Sequence, residues 1–247
     1  MTSESLRAVP GIDVVGDVHG CADELADLLA RLGYATPGDG ATERRLAFVG
    51  DLVDRGPDSA RVLETVMLLC QAGVADCVVG NHDDGLRWAL SGRAVEPVPE
   101  REATLSSIAA RGPEFADRVR AFLAGLPAHL VLDDGRLVVA HAGLPEAFHG
   151  SDSPEAREFA IYGPSTGRRD AYGFPERVRP TPSTWAHGYR GQALVVYGHA
   201  ARAAPLWIGR TVNIDTDCSR GGRLTALRYP ENSLVSVPAR AVYWARR

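Results

Sequence analysis

Val14-Val15-Gly16-Asp17-Val18-His19-Gly20, Phe48-Val49-Gly50-Asp51 and Val78-Val79-Gly80-Asn81-His82-Asp83 follow one plan: a short apolar run, a glycine, then a residue able to hold a cation. Amphipathic stretches, Asp23 to Leu32 and Ser59 to Leu69, separate the runs, and another, Leu86 to Leu90, follows the third. The strands are read as Ile12 to Val15, Leu46 to Val49 and Cys77 to Val79. This alternation is the βαβ rhythm of a parallel sheet. A helical, charged region follows from Glu100 to Leu126. Two alternating runs around Asp134-Gly135, between Leu130 and Ala140, then carry a strong two-residue hairpin signal. Four later runs, Leu194 to Tyr197, Thr211 to Ile214, Arg223 to Arg228 and Leu234 to Val237, read as further strands. The expected fold class is α/β, a two-sheet αββα sandwich. It is expected as one domain over 1–247, with a lid-like insertion at about 145–190, where Gly, Pro, Ser, Arg and aromatic residues show no clear periodicity.

In open α/β sheets, ligands gather outside the carboxyl ends of the strands. Asp17, His19, Asp51 and Asn81 would therefore meet at one sheet edge. His141 follows Val138-Val139-Ala140, and His199 follows Val195-Val196-Tyr197-Gly198, so five strand ends supply six candidate ligands. Two carboxylates, one amide and three imidazoles suit Mn, Fe, Zn or Ni better than calcium. A carboxylate shared between two ions holds them about 3.5–4 Å apart. Such a pair grips a phosphoryl oxygen and lowers the pKa of bound water from about 15.7 towards about 7. Arg55, four residues beyond Asp51, offers the planar fork that suits phosphate, and His82 is placed to act as an acid or to support the site.

The chain of 247 residues contains no lysine, so all its 27 Lys+Arg positions are arginine. That excludes the Walker-type phosphate loop and lysyl-nucleotide chemistry, both of which need an amine. Cys21, Cys70, Cys77 and Cys218 lack paired zinc spacing and read as reduced, mostly buried thiols. A formal charge of −4 does not mark a nucleic-acid binder. No apolar run approaches the roughly 18 residues that cross a bilayer, and the first residues lack a signal-peptide pattern. The expectation is a cytoplasmic enzyme with no membrane association and no obligate protein partner.

Taken together, Gly16–Gly20, Gly50–Gly56, Gly80–Asp83, His141–Gly143 and Gly198-His199 resemble the motifs of calcineurin-like metallophosphatases of the phosphoprotein phosphatase type. Over roughly 10–239 the chain is similar to the phosphatase module of bacterial polynucleotide kinase-phosphatase. The resemblance implies a first metal on Asp17 and His19, with Asp51 bridging to a second on Asn81, His141 and His199. It implies that Arg55, with Asn81, clamps the phosphate, and that His82, oriented by Asp54, protonates the leaving oxygen. Asp215 corresponds to a further polar residue near the metals. The implied cofactors are two divalent ions, manganese first, with Fe, Zn or Ni as alternatives. The implied substrate is a phosphorylated nucleotide or polynucleotide.

Departures from that pattern matter. Asp83 and Ala142 stand where eukaryotic serine/threonine phosphatases have Glu and Gly, which weakens a protein-phosphatase reading. Asp217 replaces a glycine of the kinase-phosphatase pattern and puts the shape of that loop in question. A bis(5'-nucleosyl)-tetraphosphatase, a serine/threonine-type protein phosphatase and a silent nucleotide-binding scaffold are the competing readings. The scaffold requires the loss of a ligand or of the phosphate arginine, and none is lost. Within the insertion, Tyr162, Arg168, Arg169, Tyr172 and Trp185 could stack bases, bind phosphate or simply pack.

Overall fold

The computed structural model describes residues 11–34, 43–178 and 184–245. Strand β1 (Ile12–Val15), helix α1 (Ala22–Leu32), β2 (Arg45–Phe48), α2 (Ser59–Gln71) and β3 (Ala75–Cys77) form the opening βαβαβ run. Helices α3 (Asn81–Leu90), α4 (Pro99–Ala110) and α5 (Pro113–Gly125) lead to a hairpin of β4 (His129–Leu132) and β5 (Leu137–Ala140). Next come α6 (Pro154–Tyr162), a small hairpin of β6 (Ser165–Arg169) and β7 (Pro175–Arg177), and α7 (Thr184–Gly188). Strands β8 (Leu194–Tyr197), β9 (Leu206–Ile208), β10 (Thr211–Asn213), β11 (Arg223–Tyr229) and β12 (Ser233–Pro238) complete the order.

Two five-stranded sheets result, ordered β12-β11-β1-β2-β3 and β4-β5-β8-β10-β9. In the first, β1, β2 and β3 run parallel and β11 closes antiparallel on β1. In the second, β5, β8 and β10 run parallel and β4 and β9 flank them antiparallel. Strand side chains alternate between faces, which decides what meets what. Val14, Ala47, Val49 and Val78 of the first sheet pack on Leu137, Val139, Val196 and Val212 of the second, making the seam between the sheets. Val15 and Phe48 point the other way, onto Leu25 and Leu28 of α1 and Leu63 and Val66 of α2. On the far side Val138, Ala140 and Val195 pack with Leu144 and with Ala160 of α6. The order of layers is helix, sheet, sheet, helix, as expected.

Local chemistry sets the helix ends. Leu25, Leu28, Leu29 and Leu32 recur at three- and four-residue spacing on the buried face of α1, and Gly33 at φ 98° ends it in the left-handed turn that glycine adopts without strain. Asp58 caps α2 by accepting a hydrogen bond from the Arg61 backbone N–H. All four cysteines are free, and Cys21, Cys77 and Cys218 are buried. Among the described residues no helix is long and apolar enough to cross a membrane.

Several elements differ from expectation. β3 ends at Cys77, not Val79, because the Val79 N–H turns out of the ladder to the Pro127 carbonyl. α3 begins at Asn81, five residues before Leu86, because Asp83 caps it by accepting from the Gly80 N–H at 3.0 Å. The stretch without periodicity contains α6, the β6–β7 hairpin and α7. The connection at Asp134-Gly135 is also longer than a two-residue turn, with Asp133, Asp134 and Gly135 all at positive φ.

Candidate active site

The carboxyl ends of β1, β2, β3, β5, β8 and β10 lie along the seam, and the loops beyond them hold all the candidate residues. Glycine precedes Asp17, Asp51, Asn81 and His199, and at Gly80 and Gly198 the reason is a nearby carboxylate. A Cβ on Gly80 would sit 2.2 Å from both the backbone nitrogen and Oδ1 of Asp51, and one on Gly198 would sit 1.8 Å from Asp17 Oδ1. Each glycine is the gap through which a carboxylate from another strand approaches. Gly198→Ala is therefore expected to displace Asp17 and weaken divalent-metal binding about 10- to 100-fold, read by calorimetric titration of Mn²⁺ into chelator-stripped protein.

His19, Asp51, Asp54, Arg55 and His199 all have φ between 46° and 70°. Residues with a Cβ adopt this left-handed region at a cost of about 1–3 kcal/mol each, and they do so mainly at functional sites. All five lie in the loops around the cluster, Asp54 acting through His82. The His19 Nδ1–H donates to the Val53 carbonyl at 2.9 Å, and that of His141 donates to the Val49 carbonyl at 3.0 Å. Both Nε2 lone pairs therefore face inward. Each Nε2 lies 3.4 Å from a different oxygen of Asp51, His19 from Oδ2 and His141 from Oδ1. Asn81 Oδ1 stands 3.0 Å from His141 Nε2 and 2.8 Å from His199 Nδ1, and those two ring nitrogens are 3.0 Å apart. Asp17, Asp51 and His141 form one compact set of metal-capable atoms, and His19, Asp51 and His82 form another, with Asp51 common to both.

So many acceptor atoms in contact are the signature of a cation site, because only a cation satisfies them together. The electrostatics agree. Burial, with Asp215 and Asp51 nearby, pushes the Asp17 carboxyl well above its usual range, and burial raises Asp215 to about 6. Burial opposes ionisation of Asp51 as well, but the imidazoles of His141, His82 and His19 and the Arg55 guanidinium hold it far below the usual carboxylate range. Burial and Arg55 lower His19, keeping its ring neutral and its lone pair available. Hard oxygens and neutral imidazoles fit first-row divalent ions.

A chain of contacts runs beside this cluster. Arg55 Nη1 donates to His19 Nε2 at 2.5 Å and Nη2 to His82 Nε2 at 2.8 Å. The His82 Nδ1–H donates to Asp54 Oδ2 at 2.7 Å. Asp54, fully buried, also accepts from Arg101 Nε and Nη2 at 3.0 and 2.8 Å and from Thr104 Oγ1 at 2.9 Å. Burial works against the Asp54 charge, yet the His82 and Arg101 contacts bring its pKa down to about 2 from 3.8. A depressed carboxylate pKa stabilises the fold above the unfolded value, and the contribution is lost as pH falls through the folded one. Asp54 is thus expected to contribute about 2 kcal/mol at neutral pH. Urea unfolding should show a stability gap between wild type and Asp54→Asn that is constant above about pH 5 and closes as pH drops from about 4 towards 2.

Arg101 and Thr104 escaped sequence reading. Their signal was a polar pair within the buried stripe Arg101, Thr104, Ile108 of α4, a spacing that normally carries apolar residues. Asp83 is more than a substitute for Glu: its two oxygens accept from Leu52 N and Gly80 N, both at 3.0 Å, tying the Asp51 loop to the start of α3. Asp215 joins the site from the loop after β10, and its Oδ1 accepts the Asp217 N–H at 3.0 Å. Asp217 takes φ 60°, the conformation for which glycine is favoured and which aspartate tolerates, so this loop keeps its left-handed turn. Among the insertion residues, Trp185 packs on Tyr189 and Tyr197. Tyr162 is buried and donates to Asp84. Arg168 and Arg169 pair with Glu176 and Glu158, and Tyr172 is held by a turn at Asp170. Packing and surface pairing account for four of these residues, and Tyr162 also lines a cavity beside His82.

A family profile described as calcineurin-like phosphoesterase matches residues 11–203. The bis(5'-nucleosyl)-tetraphosphatase PrpE (asymmetrical) of Anoxybacillus flavithermus is 42% identical over 242 residues, covering 95% of this chain and 97% of its own. A crystal structure of a candidate diadenosine tetraphosphatase superposes with TM-score 0.65 at 29% identity, covering 94% of each chain. A protein-tyrosine phosphatase of a psychrophilic Shewanella superposes with TM-score 0.59 at 16% identity, covering 94% of this chain and 81% of its own. At that identity the likeness concerns the fold alone.

Proposed function

Since the chain belongs to the calcineurin-like phosphoesterase family and is a metal-dependent phosphate ester hydrolase, we propose that its substrate is a dinucleoside tetraphosphate. The relative named as a bis(5'-nucleosyl)-tetraphosphatase, matched over nearly the whole of both chains, carries this choice. The broader reading, phosphate hydrolysis on nucleotides, is kept. The likeness to the polynucleotide kinase-phosphatase module gives way as the finer assignment, and a 3'-phosphorylated strand becomes the second substrate to assay.

Asp17 and His19 would hold one divalent ion with Asp51, and Asp51 would share the second with Asn81, His141 and His199. Asp215 would stand behind Asp17. Bound there, the ions would supply a hydroxide at neutral pH and a Lewis acid for a phosphoryl oxygen. Manganese is the ion we propose, with Fe, Zn or Ni as the alternatives to titrate. Arg55, seated between His19 and His82, presents its fork to the phosphate oxygens. Once Arg55 turns from His82 Nε2 to the phosphate and that nitrogen takes up a proton, His82 would pass the proton to the leaving oxygen, while Asp54 keeps the ring oriented and stabilises its charged form. We further place the whole chain in one domain, read 145–190 as a cover over the site, and expect a cytoplasmic protein.

The test is phosphate-bond cleavage by chelator-stripped protein before and after adding Mn²⁺. Diadenosine tetraphosphate, a 3'-phosphorylated oligonucleotide and a phosphopeptide are run side by side. Preferential Mn²⁺-dependent cleavage of the tetraphosphate is expected. Preference for the oligonucleotide would return the substrate to polynucleotide ends.

A further inference from the structure

A cavity of about 930 Å³ is lined by Arg55, Asn81 and His82 of the candidate site. That volume lies in the range of small-molecule sites, about 300–1,000 Å³. Val98, before α4, and Phe174 and Val178 of the β6–β7 hairpin region add apolar lining. Phe174 is fixed in place: its ring lies 4.5 Å from Trp88, tilted by 30°, and 6.1 Å from Tyr162. Its backbone N–H donates to Asp170 at 2.9 Å. The other lining charges are Glu96, Glu100, Asp170, Glu176 and Arg101, and Arg101 is already bound to Asp54.

Resting on the hydrolase reading above, we infer that this cavity holds the nucleoside attached to the departing phosphate. The base would lie against Phe174 and Val98, with its amino group or the ribose hydroxyls facing Glu96 and Glu100. Two observations point this way. His82, the proposed proton donor to the leaving oxygen, lines the cavity with Arg55 and Asn81, whereas Asp17, His141, His199 and Asp215 do not, which puts the cavity on the leaving-group side of the cluster. Beyond Arg55 the wall offers apolar surface and carboxylates, which accept hydrogen bonds from a neutral nucleoside and repel the further phosphates of a strand.

Phe174→Leu keeps apolar volume but removes the stacking face, and Glu96→Gln, on an exposed loop, removes one carboxylate. With Mn²⁺ present, Phe174→Leu is expected to raise KM for diadenosine tetraphosphate about tenfold. Inorganic tripolyphosphate, an anhydride without a nucleoside, should be cleaved by this variant as by wild type. Glu96→Gln should move KM the same way by a few-fold, again for the nucleotide alone. Equal changes on both substrates, or none on either, overturn the inference. Calorimetric titration of adenosine into metal-free protein separates the cavity from the activity. If wild type fails to cleave the tetraphosphate, the substrate assignment falls, yet adenosine binding that Phe174→Leu abolishes would still support a nucleoside site. Absence of adenosine binding, or a Phe174→Leu defect confined to a phosphopeptide, would overturn it.

Discussion

Asp51→Asn is expected to abolish turnover, by at least about a thousandfold, and to lower bound metal from about two ions per chain to about one or fewer. The two oxygens of Asp51 face different partners, His19 on one side and His141 on the other, at 3.4 Å each. An amide keeps the shape but presents one oxygen and one NH₂, so it can serve only one side and turns a donor towards the other. The same oxygen, Oδ1, also accepts the His82 backbone N–H at 2.9 Å at the start of α3, so a flipped amide would disturb the proton donor as well. Metal analysis of the purified variant beside its kinetics checks the assignment. Two ions retained with near-normal turnover would remove Asp51 from the bridging position.

The next largest effect should follow from His82→Ala, and its size should depend on the leaving group. A positioned acid contributes about 10²- to 10⁴-fold when the departing oxygen is basic. Esters with alkoxide leaving groups should lose that much, whereas activated aryl phosphates should lose little. A tetraphosphate resembles the aryl case, because a departing nucleotide phosphate is a weak base and needs little protonation. A steep dependence of the loss on leaving-group pKa would therefore mark His82 as an acid. Uniform loss across the series would reduce it to a support for its neighbours. Asp54→Asn should reproduce the steep pattern in weaker form, since His82 stays in place without its carboxylate partner.

The parallel strands and their candidate ligands were legible because each is written locally: an apolar run, a glycine, then a metal-capable residue at a strand end. The two sheets were as expected, and Asp215 lies two residues past the end of β10. Long-range relationships were not legible. Arg101 reaches Asp54 across 47 positions, and no local pattern encodes that reach. The β6–β7 hairpin was hidden because its first strand, Ser165 to Arg169, is exposed on nearly every residue, so the alternation that reveals a half-buried strand is absent. β9, a three-residue edge strand with no buried residue, was missed for the same reason. The onset of α3 was misplaced because Gly80, Asn81 and Asp83 read as a ligand loop, although the same residues also cap a helix.

The order in which the chain emerges during synthesis gives the shared edge another meaning. Asp17, His19, Asp51 and Asn81 come from the first sheet and His141, His199 and Asp215 from the second, while β1 receives its partner β11 only after both. A ribosome releases these groups far apart in time, and the early four would leave the tunnel as an acidic, incomplete set. In the proposed two-ion site, capture of the second ion would wait for His199, which follows β8. Without metal the apolar seam alone would join the two sheets, and their shared edge would hold an uncompensated cluster of buried carboxylates.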